Sequence, residues 1–363
     1  MQFTKKFARV AALGALAAVA LTGCGSVQAP VETPAPAPTT SESSAAPEQN
    51  LLDWTAPEGL SGSLTLYAAN PQGLNDDLAA AFTEATGVTV DIYADTTGKI
   101  TARLDAEWDN PQADIVYLAS WSPAAKYADA GRVLDYAPAS IASIIPGWAG
   151  DGFAGRDGSA LALVVNTSTA ASIPTDWADL AGADFTDQVL MPDPRESGTA
   201  RDLIAAMVID WGEDATWELF DSLFANGLLV QGANGPALDD VVAGSHSVVL
   251  GGVDYSAYSA AQKGESIQVV LPTSGTTVSP RPVFILKDTQ NPEAAKAFVD
   301  FMFSAQGQAI SAQRNMIPAQ PEVPVKEGNV PFDQLVFLEY TTEELAAVGD
   351  EALDTFVSRY LAG

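Results

Sequence analysis

Met191-Pro192-Asp193-Pro194-Arg195-Glu196-Ser197-Gly198-Thr199-Ala200 leaves a short apolar strand, Val189-Leu190-Met191, and enters a helix whose apolar spacing spans residues 199–210. Ser197-Gly198-Thr199 opens that helix. The first amides of a helix lack internal acceptors, and the helix dipole places about half a positive charge there. An anion on those amides, beside the hydroxyls of Ser197 and Thr199, needs no cationic side chain. Ser197 acting only as the cap of its own helix accounts for the same residues.

The strand-turn-helix unit recurs in both directions. Upstream, strand 63–67 ends in Ala68-Ala69-Asn70-Pro71-Gln72-Gly73 before a helix over 74–86, whose apolar face ends at the glycine cap Gly87. Strand 88–92 leads through Thr96-Thr97-Gly98-Lys99 into a helix reaching Trp108, and strand 113–117 leads through Ser120-Trp121 to a helix opened by Ser122-Pro123. Downstream, the pattern predicts strands at 161–166, 246–250, 269–271 and 283–287. It predicts helices at 215–224, 237–243, 256–263 and 292–303, and the acidic stretch 341–361 reads as a further packed amphipathic helix. Such repeats imply mainly parallel sheets covered by helices, here as two α/β lobes, with ligands at the strands' carboxyl ends.

Composition narrows the function. The chain has 363 residues, 46 acidic against 17 basic side chains, one His and one Cys. A net charge of −29 opposes binding to nucleic acid or to anionic headgroups. One Cys makes no intrachain disulfide, and one His with one Cys builds no His/Cys zinc site. The amino end carries Lys5, Lys6 and Arg9, then an apolar run over 11–21, too short to span a bilayer, then Leu21-Thr22-Gly23-Cys24. This end resembles a bacterial lipoprotein signal, which implies cleavage before Cys24, diacylation of its thiol and an extracytoplasmic protein held at the cell membrane. Losing those three bases from the 17 leaves 14 against 46 acids, about −32. Residues 25–50 follow as a Ser-, Thr-, Ala-, Pro- and Glu-rich stretch with almost nothing to bury.

Four patterns in order resemble one family. They are Leu64-Thr65-Leu66-Tyr67 with the helix and strand after it, Asn110-Pro-Gln-Ala-Asp-Ile115, Met191 to Ala200, and Asn291-Pro-Glu-Ala-Ala-Lys-Ala-Phe-Val-Asp-Phe301 with Ser304-Ala-Gln-Gly307. Together they are similar to substrate-binding components of ABC importers, in the branch of ferric-ion, phosphonate and sugar-phosphate binders. The resemblance implies a type II periplasmic-binding-protein fold, α/β, with two lobes hinged about a cleft. The expected division is signal 1–23, lipidated Cys and linker 24–60, one lobe from 61–160 with 275–317, and the other from 161–274 with 318–363. The chain is expected to cross between lobes near 160–166 and 273–281. It also implies a monomer that delivers a small ligand to a membrane permease, without a cofactor.

The expected ligand contacts are Asn70, Thr97, Gly98, Ser120, Trp121, Ser197, Gly198, Thr199, Arg201, Asp254, Tyr255 and Arg281. Bases are scarce, so Arg201 in the Ser-Gly-Thr helix and Arg281 at the second crossing are the candidates to meet an anion, with Arg195 third. Trp121 and Trp148 are candidate cleft walls, whereas Trp108, Trp177, Trp211 and Trp217 read as packing residues. In ferric-ion binders the place of Asp254-Tyr255 carries adjacent tyrosines. Here a phenolate and a carboxylate would be the metal ligands, one phenolate short, so iron is the alternative reading. Polyamine binding is another, and predicts a cleft lined by several carboxylates. An aminophosphonate would suit an amine at Asp254 and its anion at Ser197–Thr199. No Gly-x-Ser-x-Gly, P-loop or activated nucleophile points to an enzyme.

Overall fold

Alternating β-formers build β1 (Ser63–Ala68), and Pro71 turns the chain into α1 (Gln72–Thr86), which Gly87 ends in the left-handed conformation. The computed structural model describes residues 52–362. The leader, Cys24 and most of the linker expected at 24–60 lie outside the described residues. Packing begins before residue 61: Leu52 is buried, its carbonyl accepts from the Ala305 amide, and the Trp54 ring meets Phe301 edge-on at 5.1 Å. The expected linker therefore extends too far, because Leu52 and Trp54 have apolar surface to bury.

The first half continues through β2 (Thr89–Ala94), α2 (Thr97–Ala106), β3 (Ile115–Tyr117), α3 (Trp121–Asp129) and β4 (Ala149–Gly150). The long β5 (Phe153–Asn166) then carries the chain into a second half. That half holds β6 (Val189–Met191), α4 (Gly198–Trp211), α5 (Glu213–Ala225), β7 (Leu229–Val230), α6 (Asn234–Val242), β8 (Val248–Val253), α7 (Asp254–Gln262) and β9 (Ile267–Val270). The return is β10 (Val278–Ile285), followed by α8 (Pro292–Phe303), α9 (Ala305–Gln313), β11 (Ile317–Pro318) and α10 (Thr342–Phe356).

Strand order is β2-β1-β3-β10-β5-β8-β6-β7. β1 pairs parallel with β2 and β3, and β6 pairs parallel with β7 and β8. β5 belongs to both halves: residues 153–160 pair antiparallel with β10, and residues 161–166 with β8 and β9. One large core packs under the first half around Phe82, Phe298 and Phe301, and another under the second around Trp177, Leu203 and Phe220. α10 packs on α3 from the first half and α4 from the second, so it is not confined to the lobe of 318–363.

Some expected boundaries shift. β8 starts at Val248 and runs through Gly251 and Gly252, so His246 precedes the strand, where it pairs with Asp240 at 2.6 Å. β10 starts at Val278, earlier than the apolar run at 283, and contains Pro280 and Pro282. Prolines remove ladder donors, yet the register shifts between Arg281 and Pro282, and that bulge absorbs them. Across the bulge Arg156 is the extra residue of β5. Trp148 lies over Gly155 and Gly158, where a Cβ would come within 3.2 and 2.5 Å of its ring, so it is core and not cleft wall. Trp108, expected to pack, is 39% exposed with the Arg132 guanidinium 4.1 Å above its ring.

Sequence reading missed the charged interior of β5. Arg156 and Asp157 are fully buried and paired at 3.1 Å. Asp157 also accepts from the hydroxyls of Tyr117 and Ser311, both at 2.5 Å, and Arg156 donates to the Gly307 carbonyl at 2.7 Å. Removing one member leaves the other charge buried without compensation. Asp157→Ala is expected to lower unfolding free energy by about 3–5 kcal/mol in urea titration, far more than an exposed Asp→Ala control.

Candidate functional site

Five helices begin after a strand, two at the carboxyl edge of the first half's parallel strands and three at that of the second half's, which run the opposite way, and their first residues surround one cleft. β1 leads to α1 at Gln72, β2 to α2 at Thr97, β6 to α4 at Gly198, β7 to α6 at Asn234, and β8 to α7 at Asp254. The cleft has a volume of about 440 Å³, within the range of small-molecule sites. Asn70, Gln72, Thr96 and Thr97 line it from the first half, and Ser197, Gly198, Asn234, Gly235, Tyr255 and Ser256 from the second. The amides of Gln72, Gly198, Asn234 and Gly235 donate to no acceptor among the described residues. Side chains cap two of the helices: Thr96 accepts from the Lys99 amide, and Ser197 from the Ala200 amide. The Ser197 cap thus coexists with an open Gly198 amide.

Asn234 escaped the sequence reading. Its amide group ties Ser197 and Thr199 together: Ser197 Oγ donates to Asn234 Oδ1 at 3.2 Å, and Asn234 Nδ2 donates to Thr199 Oγ1 at 3.0 Å. The expected helix at 237 starts three residues earlier, at Asn234-Gly235-Pro236, and Pro in a first helical turn was the available signal.

The halves touch at the mouth. The Gly98 amide approaches the Glu196 carbonyl at 3.5 Å, and a Cβ on Gly98 would lie 2.1 Å from the Arg195 carbonyl oxygen. A Cβ on Gly198 would meet Thr97 Oγ1 at 2.7 Å and Ser120 Cβ at 2.9 Å. Both glycines sit where two backbones close on each other.

Of the twelve expected contacts, Asn70, Thr97, Ser197, Gly198 and Tyr255 line the cleft, and Gly98 stands at its lip. Asn70 Nδ2 donates to the Tyr117 carbonyl at 2.9 Å, leaving its buried Oδ1 without a donor. Thr199 supports Ser197 from behind at 3.1 Å. Ser120 is buried and bonds Asp202 instead. Trp121 turns into the core against Phe153, 4.7 Å between ring centroids, because its position on α3 faces the sheet. Arg201 points the other way and pairs with Asp350 on α10. Arg195 pairs with Asp193 at 2.5 Å.

Arg281 and Asp254 stand behind the wall. The Arg281 guanidinium lies 5.2 Å from the centre of the Tyr255 ring, and its Nη2 donates to the carbonyl of Ala69 at 3.2 Å. Asp254 is buried, so the pair Asp254 and Tyr255 is not offered side by side to one metal ion. The carboxylates that do line the cleft are Asp95, paired with Lys99 at 3.2 Å, and Glu196.

Burial pushes the Asp254 carboxyl up to about 8, against the amides of Tyr255 and Ala160 and the charge of Arg281, which pull it down. It is therefore largely uncharged at neutral pH and does not oppose an anion in front of it.

Comparison with known proteins places this geometry. A family model described as bacterial extracellular solute-binding protein matches residues 150–337, more than half of the chain. A probable ABC transporter periplasmic-binding protein of Sinorhizobium fredii is 26% identical over 280 residues, covering 74% of this chain and 77% of its own. A putative 2-aminoethylphosphonate-binding periplasmic protein of Salmonella typhi is 22% identical over 293 residues, covering 77% and 84%. Among solved structures, the periplasmic binding protein AfuA from Actinobacillus pleuropneumoniae, with fructose-6-phosphate bound, superposes with a TM-score of 0.78 at 23% identity, over 84% of this chain and all of that one. Iron-bound HitA from Pseudomonas aeruginosa gives 0.72 at 23% identity, over 81% and 99%. The fold is the two-lobe type II fold of periplasmic binding proteins.

The protonated Asp254 has a consequence for stability. Its folded value lies above the ordinary 3.8, so the folded chain holds a proton that the unfolded chain releases. The associated stabilisation is complete below about pH 4 and is lost as pH rises through about 8. Between pH 5 and 9 the melting midpoint of the natural protein should fall relative to that of Asp254→Asn by about 3 °C or more, read by calorimetry.

Proposed function

This chain belongs to the bacterial extracellular solute-binding proteins, and on that footing we propose that it captures a small ligand bearing a phosphonate or phosphate group. The observation carrying this is the meeting of five helix amino ends on one cleft. Unpaired amides and aligned dipoles favour a compact oxyanion in a site whose lining contains no Lys or Arg. Asn70 Oδ1, Asp95 and Glu196 offer acceptors to hydroxyls or an amine at the ligand's other end. The names of the Salmonella and Actinobacillus relatives agree with that chemistry. We assign ligand contact to Asn70, Thr97, Gly98, Ser197, Gly198 and Tyr255, support to Thr199, Asn234 and Arg281, and no contact to Trp121 or Arg201.

Capture proceeds by closure of two lobes, 61–160 with 275–317 against 161–274 with 318–363, about β5 and β10. A ligand touching helix ends of both lobes binds the closed state better, and this difference in affinity shifts the hinge. The closed form then delivers to a membrane permease. The protein acts as a monomer and by binding rather than chemistry. It is held outside the cytoplasm by lipid on Cys24 after removal of residues 1–23.

Isothermal calorimetry with 2-aminoethylphosphonate, fructose 6-phosphate, ferric citrate and spermidine tests the ligand class. Heat with a phosphorus compound supports the reading; heat with iron or spermidine alone overturns it. Gly98→Ala, which forces a Cβ against the Arg195 carbonyl on closing, should weaken that binding at least about tenfold, roughly 1.4 kcal/mol. For the anchor, the protein expressed with its own leader should partition into the detergent phase, and Cys24→Ala into water.

A further inference from the structure

A sixth helix, α3, starts after β3 at the same edge as α1 and α2, but its amino end does not open on the cleft. Its N-cap Ser120 makes no capping bond to its own first turn. A carboxylate from the other half stands there: Ser120 Oγ donates to Asp202 Oδ1 of α4 at 2.5 Å, and the Trp121 amide is near enough to favour that carboxylate's charged form. Ser279 Oγ, on the crossing strand β10, donates to Asp202 Oδ2. Asp202 is 2% exposed, and Ser120 and Ser279 are fully buried.

We propose that Asp202 is a positioning residue that latches the two lobes, capping a helix of the opposite lobe only when the cleft is shut. The geometry fits a latch better than a core hydrogen bond. Both hydroxyl donors come from outside its own helix, and one of them lies on the strand about which the lobes turn. Gly198, four residues earlier on the same helix, is packed against Ser120 and Thr97. Seating Asp202 on α3 therefore seats the open Gly198 amide beside the end of α2. Arg201 does not neutralise this carboxylate by direct contact, since its guanidinium is held by Asp350. When the lobes part, Asp202 and the first turn of α3 both return to water, so the bond biases closure without locking it.

The proposal rests on the solute-binding reading only in taking the lobes to move, and it is tested without ligand. In the full-length protein, Asp202→Asn and Ser120→Ala should each increase the radius of gyration by X-ray scattering. Each should also speed amide hydrogen exchange in peptides covering 119–124 at least fivefold, while exchange in β8 stays as in the natural protein. Because both variants remove the same bond, the double variant should exchange no faster than the faster single one. Ser247→Ala, which removes a buried hydroxyl bond to Gln188 within one half, should leave both readings unchanged. Unchanged scattering and exchange in Ser120→Ala, or equal opening in Ser247→Ala, overturns the latch. If Asp202→Asn does not fold, Ser120→Ala and its control decide alone. A failure of every phosphorus compound in calorimetry would sink the ligand class and leave these readings standing.

Discussion

Backbone amides without acceptors are the constraint from which the site follows. A helix that follows a strand points its first N–H groups past the strand's carboxyl end, and parallel pairing within each half puts that half's ends on one edge, so that the two edges line the cleft from either side. Five of them line a single cleft, with the amides of Gly198, Asn234 and Gly235 unpartnered. Bringing backbone this close leaves no room for a Cβ, which is why Gly98 and Gly198 stand at the lip, facing the Arg195 carbonyl and Thr97. A site of this kind is built by the fold more than by its side chains.

The halves are joined by strands whose interior is charged. β5 and β10 carry Arg156, Asp157 and Arg281, all buried, each held by partners in other elements: Gly307 of α9, Tyr117 of β3, Ala69 after β1. Bonds of this kind tolerate little sliding, because a displaced buried charge loses compensation altogether. They tie the first half together up to residue 160, where β5 changes partners from β10 to β8 and β9. Arg281 serves two ends at once, supporting the Tyr255 ring in the cleft wall and the carbonyl that precedes Asn70.

Periodicity made most helices and the parallel strands legible, because their apolar faces are wide and their ends carry Gly, Pro, Ser or Thr. What it concealed has physical reasons. β10 was shortened by Pro280 and Pro282, whose missing donors are absorbed by a bulge that no local pattern announces. Arg156 and Asp157 look like surface residues in a chain rich in acids, but β5 is buried on both faces along its whole length. Arg201 and Trp121 were placed by their nearness to promising turns. One residue on a helix rotates the side chain by about 100 degrees, enough to send Arg201 to α10 while its neighbour Asp202 faces α3. The Ser197–Gly198 turn was readable because the helix start alone determines where its amides point.

The remaining tension is between a chain of net charge −29 and an anionic guest. At physiological salt the Debye length is about 8 Å, so most of the acidic surface is screened from a ligand already within the cleft. The charges that matter are near ones, and the fold treats them individually. Asp95 is paired with Lys99, and Asp254 is held largely protonated by burial. Asp202 is occupied by two hydroxyls. Only Glu196 remains at the wall as an open carboxylate, beside Ser197, where an oxyanion would lie on the amide side and a hydroxyl or ammonium group on the other. The acidity of the exterior and the open amides of the interior are therefore separate properties, set by the surface composition in one case and by helix ends in the other.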